Sequence, residues 1–112
     1  MMEENNSQKT LKDSYFFYFP SNTPEQSEEA KAFENICIDL ADGMTAIYPA
    51  RGTWIDPSGL KVEDKVTVIN VSGNFTREDS ILIESIYHAT LKEMGEHSSF
   101  FNRNGLAHIR EL

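Results

Sequence analysis

A chain of 112 residues holds one hydrophobic core and is too short to expect two domains. Its composition, 39% hydrophobic and 25% charged, is that of an ordinary globular protein. The 10 Lys and Arg against 18 Asp and Glu give a formal net charge of -8, which disfavours phosphate backbones and anionic lipid, so neither a nucleic-acid nor a membrane partner is expected.

Residues 1–13, "MMEENNSQKTLKD", are polar and lack an apolar h-region. They read as a mobile N-terminal arm before a single domain over 14–112, and not as a secretory signal. No stretch approaches the roughly 18 apolar residues of a membrane span. The one cysteine, Cys37, has no partner for an intramolecular disulfide, which fits a cytoplasmic setting.

"SYFFYF" (14–19) predicts a strand with apolar groups on both faces, ended by Pro20. Thr23, Pro24 and Gln26 supply an N-cap, a first helical residue and a capping-box position. Ala30, Phe33, Ile36, Cys37, Leu40 and Met44 recur at helical spacing as one buried stripe, and Gly43 ends that helix. A second strand runs from Met44 to Tyr48 and is closed by Pro49. "DPSG" (56–59) has the residue order of a tight turn. "KVTVINV" (65–71) is the third strand, rich in β-branched residues. Thr76 caps a second helix with Glu78 and Asp79 in its first turn, where the dipole favours acids. Leu82, Ile83, Ile86, Tyr87, Thr90 and Met94 form its expected buried face, and Gly95 stops it. The tail, "SSFFN" and "LAHIREL", reads as one fourth strand interrupted at "NRNG".

The order is α+β and predicts a ferredoxin-like βαββαβ sandwich, an antiparallel sheet with two helices on one face. Its central strands are the first and third. Tyr15, Phe17 and Phe19 face one side while Phe16 and Tyr18 face the other; Val66 and Val68 oppose Thr67, Ile69 and Val71. Two helices cover one face only. The second face calls for a cover, and a homodimer packed sheet to sheet is the simplest one, with the arm or the tail as the alternatives.

"YPARGTW" (48–54) places Arg51 between Tyr48 and Trp54. In its setting "DGMTAIYPARGTWIDPSG" (42–59), together with "YFFYF", "KVTVI" and the helix holding Tyr87, it resembles a bacterial domain-of-unknown-function family of small proteins with an Ala-Arg-Gly-x-Trp motif. The resemblance spans about residues 14–100, and the tail after Phe100 departs from it. The family has no assigned activity, so the resemblance implies a fold and points at Arg51 and Trp54.

An arginine fork can hold a carboxylate or phosphate, and an indole can stack on a planar group. Arg51, Trp54 and Tyr48 are therefore the candidate site for a small anionic or aromatic ligand. On a regular strand, however, Arg51 points away from the face shared by Tyr48 and Trp54, unless Gly52 forms a bulge. The competing reading packs Trp54 into a core or dimer seam and pairs Arg51 with an acid.

His88, His97 and His108 lack zinc-like spacing, so no metal is expected. Ser72-Gly73-Asn74 reads as a turn and not a phosphate loop, so no cofactor is expected either. Cys37, on a buried stripe, is expected to be inert. The leading reading is a small binding domain without enzymatic activity, self-associating through its sheet face and taking a protein or a small anion. A second reading is a cofactor-free isomerase- or lyase-like enzyme with a pocket that uses Arg51 and His88 or Tyr18. A third is an acidic inhibitor of a nucleic-acid-binding partner.

Overall fold

A computed structural model describes residues 8, 10–20, 28–41 and 43–112. Alternating apolar residues build β1 (Asp13–Pro20), whose odd-numbered side chains are buried and whose even-numbered ones are half-buried. α1 (Glu28–Leu40) follows, then the long strands β2 (Met44–Ile55) and β3 (Lys61–Gly73). α2 (Arg77–Glu93), β4 (Ser98–Arg103) and β5 (Leu106–Glu111) complete the chain. All pairings are antiparallel, in one five-stranded sheet of order β2-β3-β1-β4-β5.

The core lies between one face of this sheet and the two helices. Phe17 stacks on Tyr15 with centroids 5.0 Å apart and meets Phe33 of α1 edge-on at 4.8 Å. Phe19, Ile69, Val71, Cys37, Ile83 and Tyr87 join the same buried cluster. Fully burying one such Phe or Leu stabilises the fold by about 1.5–3 kcal/mol, so this cluster is the main reason the sheet and helices stay together. Burial pushes the Cys37 thiol up to about 12, which leaves it without a reactive thiolate at neutral pH.

Tyr87 also holds the sheet together. β1 and β4 pair only from Tyr15 to Phe17, and beyond that point the Tyr87 hydroxyl fills the gap. It accepts from the Tyr18 N–H at 3.1 Å and lies 2.7 Å from the Tyr18 carbonyl and 2.8 Å from that of Phe100. One phenol thus replaces a missing rung between two strands.

Several sequence expectations change. The tail forms two strands, because Asn104 (φ 51°) and Gly105 (φ 83°) make a two-residue turn with positive φ at both positions, so the βαββαβ order gains β5. β2 does not stop at Pro49. It is an edge strand, where a missing N–H leaves no rung unmade, and it runs on to Ile55. Met44 opens β2 with 67% exposure instead of closing the α1 stripe. On α2 the buried stripe is Ser80, Ile83, Tyr87 and Leu91, with Leu82 exposed. Asp13, expected in the arm, is the first residue of β1 and is buried.

Other expectations hold. Thr76 accepts from the Asp79 N–H at 3.1 Å. Gly95 (φ 87°) ends α2 in a Schellman turn, with N–H bonds from Gly95 to Lys92 and from Glu96 to Leu91, both 3.0 Å. The N-cap assigned to Thr23 and the rest of the α1 entry, like most of the N-terminal arm, lie outside the described residues. Gly43 serves close approach: a Cβ there would stand 2.0 Å from the Ser72 carbonyl oxygen of β3. No described helix is long and apolar enough to cross a membrane.

Candidate functional site

The best-built polar site lies where the N-terminal half of α2 crosses the start of β1 and the end of β4. The Tyr15 hydroxyl donates to Glu84 Oε2 at 2.6 Å. Arg103 reaches the same carboxylate oxygen with Nη1 at 3.4 Å, Ser80 Oγ with Nη2 at 3.3 Å, and Asp13 Oδ1 at 3.7 Å. Its guanidinium carbon sits 5.4 Å from the Tyr15 ring centroid, within cation–π range. Asp13, 5% exposed, also accepts from the Phe75 N–H at 3.1 Å and from Asn104 Nδ2 at 3.3 Å.

These contacts set protonation states. Burial alone would raise the Asp13 carboxyl, but the Phe75 N–H, Asn104 and the Arg103 charge outweigh it and hold the group below its ordinary 3.8. Burial first, and then the bond to Glu84, drive the Tyr15 phenol far above its ordinary 10.0. Tyr15 is therefore a fixed donor and Asp13 a fixed anion. The open side is a cleft of about 420 Å³, with Lys12, Arg77 and Ile81 at its rim. That volume falls within the roughly 300–1,000 Å³ of small-molecule sites.

The residues singled out from the sequence stand elsewhere. β1 ends at Pro20 opposite Val66, so residues 51–55 and 61–65 continue as a two-stranded ribbon with no third strand among the described residues. The register of β2 on β3 runs unbroken through Gly52 opposite Asp64. With no bulge there, Tyr48 and Trp54 share one face of the ribbon and Arg51 lies on the other, opposite Lys65. One strand does not bring the three together. The Trp54 indole lies over Gly52, where a Cβ would be 3.6 Å from Cζ3 and from Val66 Cγ1. Tyr18 is on the helix-free face, its hydroxyl donating to Asn102 Oδ1 at 2.6 Å. Burial, and then Tyr48, raise its pKa.

His88 faces a second cleft, of about 440 Å³, between the C-terminal half of α2 and β5. Its Nδ1 is 2.6 Å from Ser99 Oγ. Burial and the Arg110 charge hold the imidazole below its ordinary 6.5, against an opposing pull from Glu84. Ser85, Lys92, Arg110 and Glu111 complete the polar lining. Arg51 has no place in either cleft.

Asp13, Tyr15, Ser80, Glu84 and Arg103 escape a sequence reading because the partners that meet stand 19 to 91 residues apart. The only local signals are the four-residue spacing of Ser80 and Glu84, which puts both on one helix face, and "NRNG", which marks a turn.

No family model and no curated protein matches this chain. Among solved structures, a phage SAM lyase in complex with S-methyl-5'-thioadenosine is similar over 95% of each chain, with a TM-score of 0.65 at 10% sequence identity. A phage SAM lyase in the apo state also matches, over 89% of this chain and 86% of its own, with a TM-score of 0.48 at 12% identity. The likeness to the first of these shows that this chain has the fold of a phage SAM lyase.

Proposed function

We propose that the chain binds S-adenosylmethionine in the cleft between α2 and the ends of β1 and β4, and cleaves it there as a lyase. The observation that carries this reading is the charge arrangement of that cleft, where Arg103 stands between the carboxylates of Asp13 and Glu84. The ligand has the matching arrangement: a carboxylate, an ammonium and a cationic sulfonium. Glu84 and Asp13 suit its positive groups, and Lys12 and Arg77 at the rim suit its carboxylate. A formal charge of -8 favours approach of a cationic substrate. The fold shared with a SAM lyase supports the reaction class.

The reaction balances without an added redox partner. The bond between sulfur and Cγ breaks and its electron pair stays on sulfur, which leaves as the neutral thioether S-methyl-5'-thioadenosine. The four-carbon remainder closes when its own carboxylate attacks Cγ, or else loses a Cβ proton to Glu84. Tyr15, protonated and bonded to Glu84, positions that carboxylate. Incubation with S-adenosylmethionine is expected to release S-methyl-5'-thioadenosine, followed by chromatography, and Glu84→Gln is expected to slow release by about 100-fold or more. Absence of both turnover and calorimetric binding would overturn the reading; binding without turnover would favour a binding domain.

We read β1 to β4 with the helices as a ferredoxin-like unit extended by β5, and propose that its helix-free face self-associates as a homodimer. Half-buried Phe16 and Tyr18, with more exposed Tyr48 and Phe100, form an aromatic surface there. A ligand that touches both Arg51 and Trp54 then needs a second copy or must wrap the ribbon edge. Light scattering of wild type and Phe100→Glu tests the association; a monomer at high concentration removes it.

A further inference from the structure

The cleft between α2 and β5 holds basic side chains without an ion-pair partner among the described residues. In a chain where acids outnumber bases 18 to 10, Lys92 and Arg110 line one cleft, yet neither makes an ion pair among the described residues. Arg110 lies close enough to His88 to oppose its protonation, after burial, which is the larger cause. Glu111 lines the same cleft without approaching either cation to ion-pair distance.

We propose that this cleft is a second binding site, one that takes the oxyanion of a carboxylate or phosphate group. His88 supplies a third donor in the tautomer whose Nδ1 accepts from Ser99. Ser99 is buried at 1% exposure and its hydroxyl has His88 Nδ1 as its partner. A neutral ring that accepts from Ser99 at Nδ1 carries its proton on Nε2, as a donor. The arginine fork, the lysine ammonium and this N–H are the groups that hold oxyanions elsewhere. An anion in this cleft would give the two cations the partner that the fold does not supply. The site is distinct from the one on β1 and β4, where Arg103 already has two carboxylates.

The test is a ¹H–¹⁵N shift titration of the full chain with inorganic phosphate and, separately, with acetate. Saturable shifts confined to Lys92, Ser99, Arg110 and their neighbours are expected. Lys92→Ala and Arg110→Ala should each weaken binding by about tenfold or more, as for loss of a charged hydrogen bond, while Lys61→Ala on the ribbon should change nothing. Both cleft residues are exposed, so these variants should keep the fold. Tighter binding of phosphate than of acetate would identify the group as a phosphate, and the reverse as a carboxylate. Unsaturable shifts spread over surface lysines, or saturable binding that survives the Lys92→Ala/Arg110→Ala pair, would overturn the proposal.

Discussion

The two clefts that follow one another along α2 use the same kinds of side chain to opposite effect. At the N-terminal half, Arg103 is held by Asp13, Glu84, Ser80 and the Tyr15 ring. At the C-terminal half, Arg110 and Lys92 have no anionic partner among the described residues. The difference comes from the strands opposite. β1 and β4 bring a buried carboxylate and a tyrosine under α2, whereas exposed β5, on the sheet edge, brings one arginine and one solvated glutamate. A cation with buried partners contributes to folding; one with solvent alone remains available to a ligand.

The comparison is broken most directly by removing each arginine. Arg103→Ala strands two carboxylates and is expected to lower unfolding free energy by about 2–3 kcal/mol, short of the cost for a fully buried pair because Arg103 is partly exposed. Arg110→Ala is expected to stay within about 0.5 kcal/mol. Urea denaturation checks both, and equal losses would erase the distinction. A smaller effect is expected from Tyr15→Phe, about 1 kcal/mol, because it removes the hydroxyl donated to Glu84 and keeps the ring.

The smallest effects are in pH, and they fall in separate windows. Asp13 has a folded pKa below 3.8, so its contribution is complete above 3.8 and is lost as pH falls through the folded value. Asp13→Asn should flatten that acid limb. His88 is held below 6.5 in the folded chain, so the unfolded chain binds more protons between the folded value and 6.5. Stability should therefore be full above 6.5 and decline as pH falls toward the folded value, with His88→Gln removing that slope. Thermal melts across both windows would separate the clefts; one shared acid transition insensitive to His88→Gln would merge them.

The fold was largely legible from residue pattern. Alternation in "SYFFYF" and the β-branched "KVTVINV" identify strands that are apolar on both faces, and these are the central ones. Thr76 and Gly95 bound α2 by side-chain capping and positive φ, which are local effects. Pro49 misled, because a proline ends a central strand but not an edge strand, and edge position is not a local property. "NRNG" reads locally as an interruption, but whether the chain reverses there depends on Asn104, which accepts from the Ser14 N–H at 2.8 Å and donates its own N–H to the Ser14 carbonyl at 2.8 Å.

The candidate site was scarcely legible. "YPARGTW" draws attention because its aromatics and arginine are adjacent in the chain, yet strand alternation sends Arg51 away from Tyr48 and Trp54. The Tyr15, Glu84 and Arg103 cluster draws none, because each residue is ordinary where it stands.

By itself the sequence determined the globular composition, the acidic balance, the apolar stripes and the caps, because these depend on composition or on neighbours within a turn or two of chain. Only the tertiary structure decided which charges are neutralised. An ion pair such as Asp13 with Arg103 forms when β1 and β4 lie side by side beneath α2, and that adjacency results from sheet pairing across some ninety residues, which no local periodicity encodes.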